Sequence, residues 1–193
     1  MIILWDKEQI KLKDVVLVAD VAPKYLSKKI KNNYLNNNYG FVICDFNNFS
    51  DPYDFFLKTS ENLGTKMPQN INKDLIVMVE NKGQDLKKAG RYHKSNEAGI
   101  VHTDCPQWAD VPDYIALFCI SNSTIGGESK LVCANKVHEI LSNQDSDLLQ
   151  ILYSNFHFDK RGEFDLGEDP TTYKPIFNNK SDTITFRFLD KYI

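Results

Sequence analysis

The sequence predicts an α+β domain with a β-sandwich or barrel core. Two observations carry that prediction. Helical periodicity dominates the first third of the chain, and short strand-like apolar runs dominate the rest. The 193 residues are 42% hydrophobic and 25% charged, enough for a real core in one domain. No internal repeat, low-complexity tract or interdomain linker interrupts them, so 1–193 reads as a single domain.

The first helix is expected from Asp20 to Tyr39. Asp20 is its candidate N-cap, Pro23 sits in the first turn, and Val21, Tyr25, Leu26, Ile30 and Tyr34 recur at helical spacing. The Asn-rich run 36–38 and Gly40 end it, and GFVICDF follows as a short buried strand. A second helix should start at Asp51-Pro52, a cap followed by proline at the first helical position, and end near Leu63-Gly64. LIVMVE (75–80) reads as a strand, and the polar, Gly-punctuated run after it as a loop. AGIVHTD, YIALFCIS (114–121) and SKLVCA read as further strands, with STIGGES as a turn. Two short helices follow, 135–142 and 145–154, the second capped by Asp145. NFHFD, YKPIFN and DTITFRF close the chain as strands.

Composition excludes several functions. Lys and Arg number 23 against 26 Asp and Glu, a net charge of −3, which leaves no broad footprint for nucleic acid or an anionic membrane. No window approaches the ~18 apolar residues of a membrane span. The apolar start of MIILWDKEQ is too short for an export signal. Cys44, Cys119 and Cys133 sit in apolar runs and read as small core residues. With Cys105 they form neither a CxxC nor a Cys/His cluster, so a reducing cytoplasm is expected.

The most informative element is Ile100-Val101-His102-Thr103-Asp104. Residues i and i+2 of an extended chain point to one side, so His102 and Asp104 converge. One imidazole and one carboxylate make two-thirds of a 2-His-1-carboxylate triad, which holds non-haem Fe(II) and leaves coordination positions open. The spacing alone is weak, and an ordinary polar strand end outweighs it. The context is stronger: HTDCPQWADVPDYIALFCISNSTIGGESKLVCANKVHEIL combines HTD, a proline loop, an apolar strand with an internal Cys, a GGES turn, a second strand and a helix.

That composite resembles the TauD/TfdA family of Fe(II)- and 2-oxoglutarate-dependent dioxygenases, most closely its γ-butyrobetaine-hydroxylase-like members. The resemblance runs over about 40–193 and is specific at 102–141. It implies a double-stranded β-helix (jelly-roll) core flanked by N-terminal helices. It also implies Fe(II) and 2-oxoglutarate as cofactors, and O2 with a small amino-acid-like metabolite as partners. The reaction would be hydroxylation or desaturation with release of succinate and CO2. His102 and Asp104 resemble the first two iron ligands. Ser129 matches the hydroxyl that contacts the 2-oxoglutarate carboxylate, and a hydroxyl donor suits a carboxylate oxygen. Gly126 and Gly127 either bring the chain close to that site or form a plain hairpin turn. Arg91 and Asn96 fall in a loop that either meets substrate or is simply solvated. Trp108 either walls a pocket or packs outside the barrel.

The resemblance is incomplete downstream. The family has a second His ligand on a late strand, with an Arg soon after it. His138 reads as a helix-surface residue. His157 lies on the opposite strand face from Phe156 and Phe158, and a place in the triad is the lesser reading for it. Arg187 shares a face with Thr183 and Thr185, pointing either into the barrel or to solvent. The expectation is therefore a dioxygenase domain lacking its C-terminal strands, which would associate with itself or with a complementing C-terminal chain. Two alternatives remain open. One is a truncated, non-catalytic homologue that binds metal or a small molecule, or serves as half of a split enzyme. The other is an unrelated α+β protein with a coincidental HTD.

Overall fold

The computed structural model describes residues 10–36, 39–83, 94, 99–180 and 183–193. The chain divides into two compact units. One gathers 1–66, 116–120 and 133–139, and the other 67–115, 121–132 and 140–193.

The first unit begins with a short helix, α1 (Leu12–Val15), and a strand, β1 (Val16–Val18). Helix α2 (Pro23–Ile30) continues into a π-helical turn over Lys31–Leu35, and β2 (Ile43–Asp45) and α3 (Pro52–Glu61) follow. β1 and β2 pair in parallel with Leu17 opposite Cys44, and the connection between them contains α2, as a parallel pair requires. β1 has no counterpart in the sequence reading. Helix α2 starts later than expected because Ala22 precedes Pro23. That neighbour forces Ala22 into an extended conformation, so Ala22 and not Asp20 is the N-cap, and it makes no side-chain capping bond. α3 matches its expectation: Pro52 opens it, and Asp51 accepts a hydrogen bond from the Asp54 amide at 2.9 Å.

The core of this unit is Leu17, Ala19, Leu26, Ile30 and Phe55, with Val42, Cys44, Phe46, Phe49 and Leu63 packed around it. Phe49 stacks on Phe55 with ring centroids 3.7 Å apart. The buried Ser27 hydroxyl joins α2 to α3 through the Thr59 carbonyl at 2.8 Å, and the buried Thr59 hydroxyl donates to the Phe55 carbonyl, so both polar groups at this contact are satisfied. Burial pushes the Cys44 thiol up to about 11, which fits its reading as a core residue. Cys119 departs from that reading, since it lies exposed.

In the second unit, α5 (Ser146–Leu152) is capped by Asp145 as expected, with the Leu148 amide donating to its carboxylate at 2.9 Å. It follows α4 (Ala134–Gln144) along the chain. β3 (Asn155–Asp159) and β4 (Thr171–Pro175) form an antiparallel pair with His157 opposite Tyr173. β5 (Phe177–Lys180) and β6 (Thr183–Phe186) form a second, with Phe177 opposite Phe186. The expected single strand YKPIFN is split at Ile176. Pro175 has no N–H to give, and the Ile176 amide and carbonyl are engaged by Leu152 and Arg187. Leu149, Phe158, Ile176, Phe177 and Leu189 are buried core residues here. A 3-10 turn, Asp190–Tyr192, follows.

Four expected strands are not formed among the described residues. The runs 75–80, 114–121 and SKLVCA (129–134, whose Ala134 opens α4) join no ladder, and neither does AGIVHTD over its described residues 99–104. Their apolar side chains are largely outside, with Val79 66% and Leu117 76% exposed. The exception is Phe118, whose ring packs 5.2 Å from that of Phe56 and 5.4 Å from that of Tyr53. The observed sheets are thus two-stranded ribbons, and the architecture is mixed α and β. No helix among the described residues is long and apolar enough to cross a membrane.

Candidate metal centre

His102 and Asp104 meet as their spacing predicts. They do so without the expected strand: the segment belongs to no sheet, and the chain bends at Val101 and Asp104. The imidazole Nε2 lies 3.4 Å from Asp104 Oδ1, with the two side chains 35% and 43% exposed. The other ring nitrogen, Nδ1, is 2.7 Å from the Ile100 carbonyl oxygen. A carbonyl only accepts, so Nδ1 carries a proton and Nε2 is the nitrogen that faces the Asp104 carboxylate. This backbone partner orients the ring in the way an outer contact orients a metal-bound histidine. The hydrogen bond to Asp104 raises the His102 pKa above its ordinary value, partial burial opposes it, and the Ile100 contact adds to the rise.

Between the two donors, Thr103 is pinned from both sides. Its amide donates to the Phe188 carbonyl at 2.8 Å, and the Phe188 amide donates to the Thr103 hydroxyl at 3.0 Å. The chain then turns sharply at Cys105, whose φ of 52° is left-handed and unusual for a residue with a side chain. The next three carbonyls are each taken by a side chain from a late strand or the residue after it. Arg187 Nη1 donates to Pro106 and Trp108 at 2.9 Å each, and the Thr172 hydroxyl donates to Gln107. Glu163, in the loop between β3 and β4, accepts from Gln107 Nε2 at 2.9 Å and from Trp108 Nε1 at 3.2 Å. Gln107 is 4% exposed, and its Oε1 is buried without a partner among the described residues. Half-burial lowers the Arg187 pKa, with the charge of Asp110 opposing.

The remaining candidates fall elsewhere. Gly126 and Gly127 have φ of 73° and 84°, so the GG turn uses the left-handed region as expected. Ser129 is exposed just after it, and no hydrogen bond among the described residues ties its side chain to His102 or Asp104. His157 is exposed on β3, its ring 4.6 Å from that of Tyr173, while Phe158 beside it is buried, as the strand alternation predicts. His138 lies on α4. Arg91, His93 and Asn96 lie outside the described residues. Trp108 and Arg187 both turn to the loop behind the pair. Gln107, Glu163 and Thr172 were not legible as site residues, because no local pattern marks contacts made 55 to 65 residues apart.

Neutral imidazole and carboxylate are suitable donors for Fe(II), so the residues present fit the metal that the sequence implies. Among the described residues, no group of three His, Cys, Asp or Glu side chains stands together.

Comparison with known proteins bears on the same segment. The family described as Taurine catabolism dioxygenase TauD, TfdA family matches residues 35–191. FR-33289 synthase of Streptomyces rubellomurinus (strain ATCC 31215) is 30% identical over 128 residues, which cover 65% of this chain and 36% of that protein. The chain therefore spans about a third of the length of that relative. With most of its length inside the family match, including the His102–Asp104 pair and its clamps, the chain belongs to the TauD/TfdA family.

Proposed function

We propose that this chain carries the metal pair and co-substrate turn of an Fe(II)- and 2-oxoglutarate-dependent oxygenase built on a jelly-roll core. The observation that carries the reading is the convergence of His102 Nε2 and Asp104 Oδ1 at 3.4 Å within the segment matched to the family. His102 and Asp104 would hold the iron, and the Ser129 hydroxyl would contact a 2-oxoglutarate carboxylate. Iron with 2-oxoglutarate supplies O2 activation coupled to decarboxylation, giving succinate, CO2 and an oxidised substrate C–H bond. The chain's own part is to bring Nε2 and the carboxylate side by side and to hold both on a fixed turn. The proposed substrate is a small amino-acid-like metabolite, hydroxylated or desaturated, in a reducing cytoplasm. The substrate class rests on analogy within the family.

A second reading has its own support. The described residues give the pair no third donor. The chain would then be a metal- or small-molecule-binding homologue, or one half of an enzyme completed by a second polypeptide or a second copy.

The test is Co(II) and Fe(II) titration of the full chain with and without 2-oxoglutarate, followed by succinate detection. Metal binding should weaken at least about tenfold in His102→Ala and Asp104→Ala. Succinate from this chain alone supports the oxygenase, and binding without succinate supports the second reading. Metal binding indifferent to both substitutions would sink both.

A further inference from the structure

The turn after the donor pair is not held by its own backbone alone. Trp108 donates to the Cys105 carbonyl at 3.1 Å, but the carbonyls of Pro106, Gln107 and Trp108 are taken by Arg187 and Thr172. The turn also contains a left-handed residue other than glycine, Cys105, which persists only where the surroundings over-determine it. Arg187 is suited to that task. One terminal nitrogen carries two N–H groups at a fixed angle, and both are spent, one on Pro106 and one on Trp108. The next residue, Phe188, is exchanged with Thr103 in two hydrogen bonds, so one short segment grips the loop on both sides of Asp104.

We propose that Arg187 is a positioning residue for the metal pair. It touches neither donor; it fixes the Cys105–Trp108 turn, and the turn fixes where the Asp104 carboxylate stands relative to His102. Glu163 and Thr172 complete the clamp from the β3–β4 hairpin. This role rests on the metal reading above, so its test carries one readout that needs no metal.

The experiment uses the full chain as wild type, Arg187→Gln, Arg187→Lys and Thr172→Val. Co(II) affinity and the visible absorption of bound Co(II) report the donor geometry. Amide hydrogen exchange over 103–108 reports the turn. Arg187→Gln should weaken Co(II) about tenfold, change the Co(II) spectrum and speed exchange at 103–108, while exchange in α3 stays as in wild type. Arg187→Lys, which keeps the charge but loses the fork, should recover affinity only in part. Thr172→Val should show the same pattern more weakly, and it decides the matter if Arg187→Gln does not fold. A folded Arg187→Gln with wild-type affinity and spectrum overturns the proposal. If the wild type shows no Co(II) binding that depends on His102, the metal reading fails. The clamp then stands or falls on whether exchange at 103–108 responds to Arg187→Gln.

Discussion

The layer around α2 and the loop around His102 are ordered by different forces. In the first, Leu26 and Ala19 are fully buried, and Leu17, Ile30 and Phe55 close over them. Such burial is non-directional and worth roughly 1.5–3 kcal/mol for each large side chain. In the second, the buried groups include Gln107, and the contacts are hydrogen bonds from Arg187, Thr172 and to Glu163. Each is worth only about 1 kcal/mol net, but each demands a direction. Apolar packing decides whether a segment is inside. Directed polar contacts decide where a particular atom stands, which is what a pair of metal donors needs.

That contrast can be broken or sharpened by mutation. The largest effect is expected at Leu26→Ala, which empties a fully buried site and should lower the unfolding free energy by about 2–5 kcal/mol in urea titrations. It should leave hydrogen exchange at 103–108 unchanged under native conditions. Glu163→Ala should cost less, about 1–3 kcal/mol, chiefly by leaving Gln107 Nε2 buried without an acceptor. Its signature should be faster exchange at 103–108. If Leu26→Ala proves the milder of the two, the division between the regions is wrong.

The smallest effect concerns Asp169, an exposed carboxylate in the same hairpin as Glu163. The Thr171 amide and hydroxyl both donate to it, and they hold its pKa below 3.8. Because the folded value is depressed, this contribution is present above the unfolded pKa and is lost as the pH falls through the lower folded value. Thr171→Val removes the hydroxyl and should move the Asp169 pKa back toward 3.8 in an NMR titration. No movement would mean the amide alone sets the shift.

The same division explains what could be read from the sequence. α3 and α5 were legible because their signals are local: Asp51 before Pro52, and Asp145 three residues before the amide it caps. The convergence of His102 and Asp104 was legible because the two lie only two residues apart, although the strand expected to carry them is not formed. The runs 75–80, 114–121 and 129–134 were read as strands from apolar content, yet content says what a segment can bury and not which strand lies beside it. The three residues of β1 are too short to show alternation. Arg187 was expected to face substrate or solvent, and its real partners are backbone carbonyls 79 and 81 residues earlier, which no window can reveal.

Those separations also set an order in time. Helix α3 finds its local signals within its own ten residues and the Asp51 that caps them. Thr103 must wait for Phe188, which follows it by 85 residues. At typical synthesis rates that interval is roughly 4–17 s, during which the turn containing Cys105 lacks its contacts with Arg187 and Phe188. Closing so long a loop is also the slow kind of folding event. The setting of the His102–Asp104 pair thus appears on a growing chain long after the layer around α2 has had its own residues available.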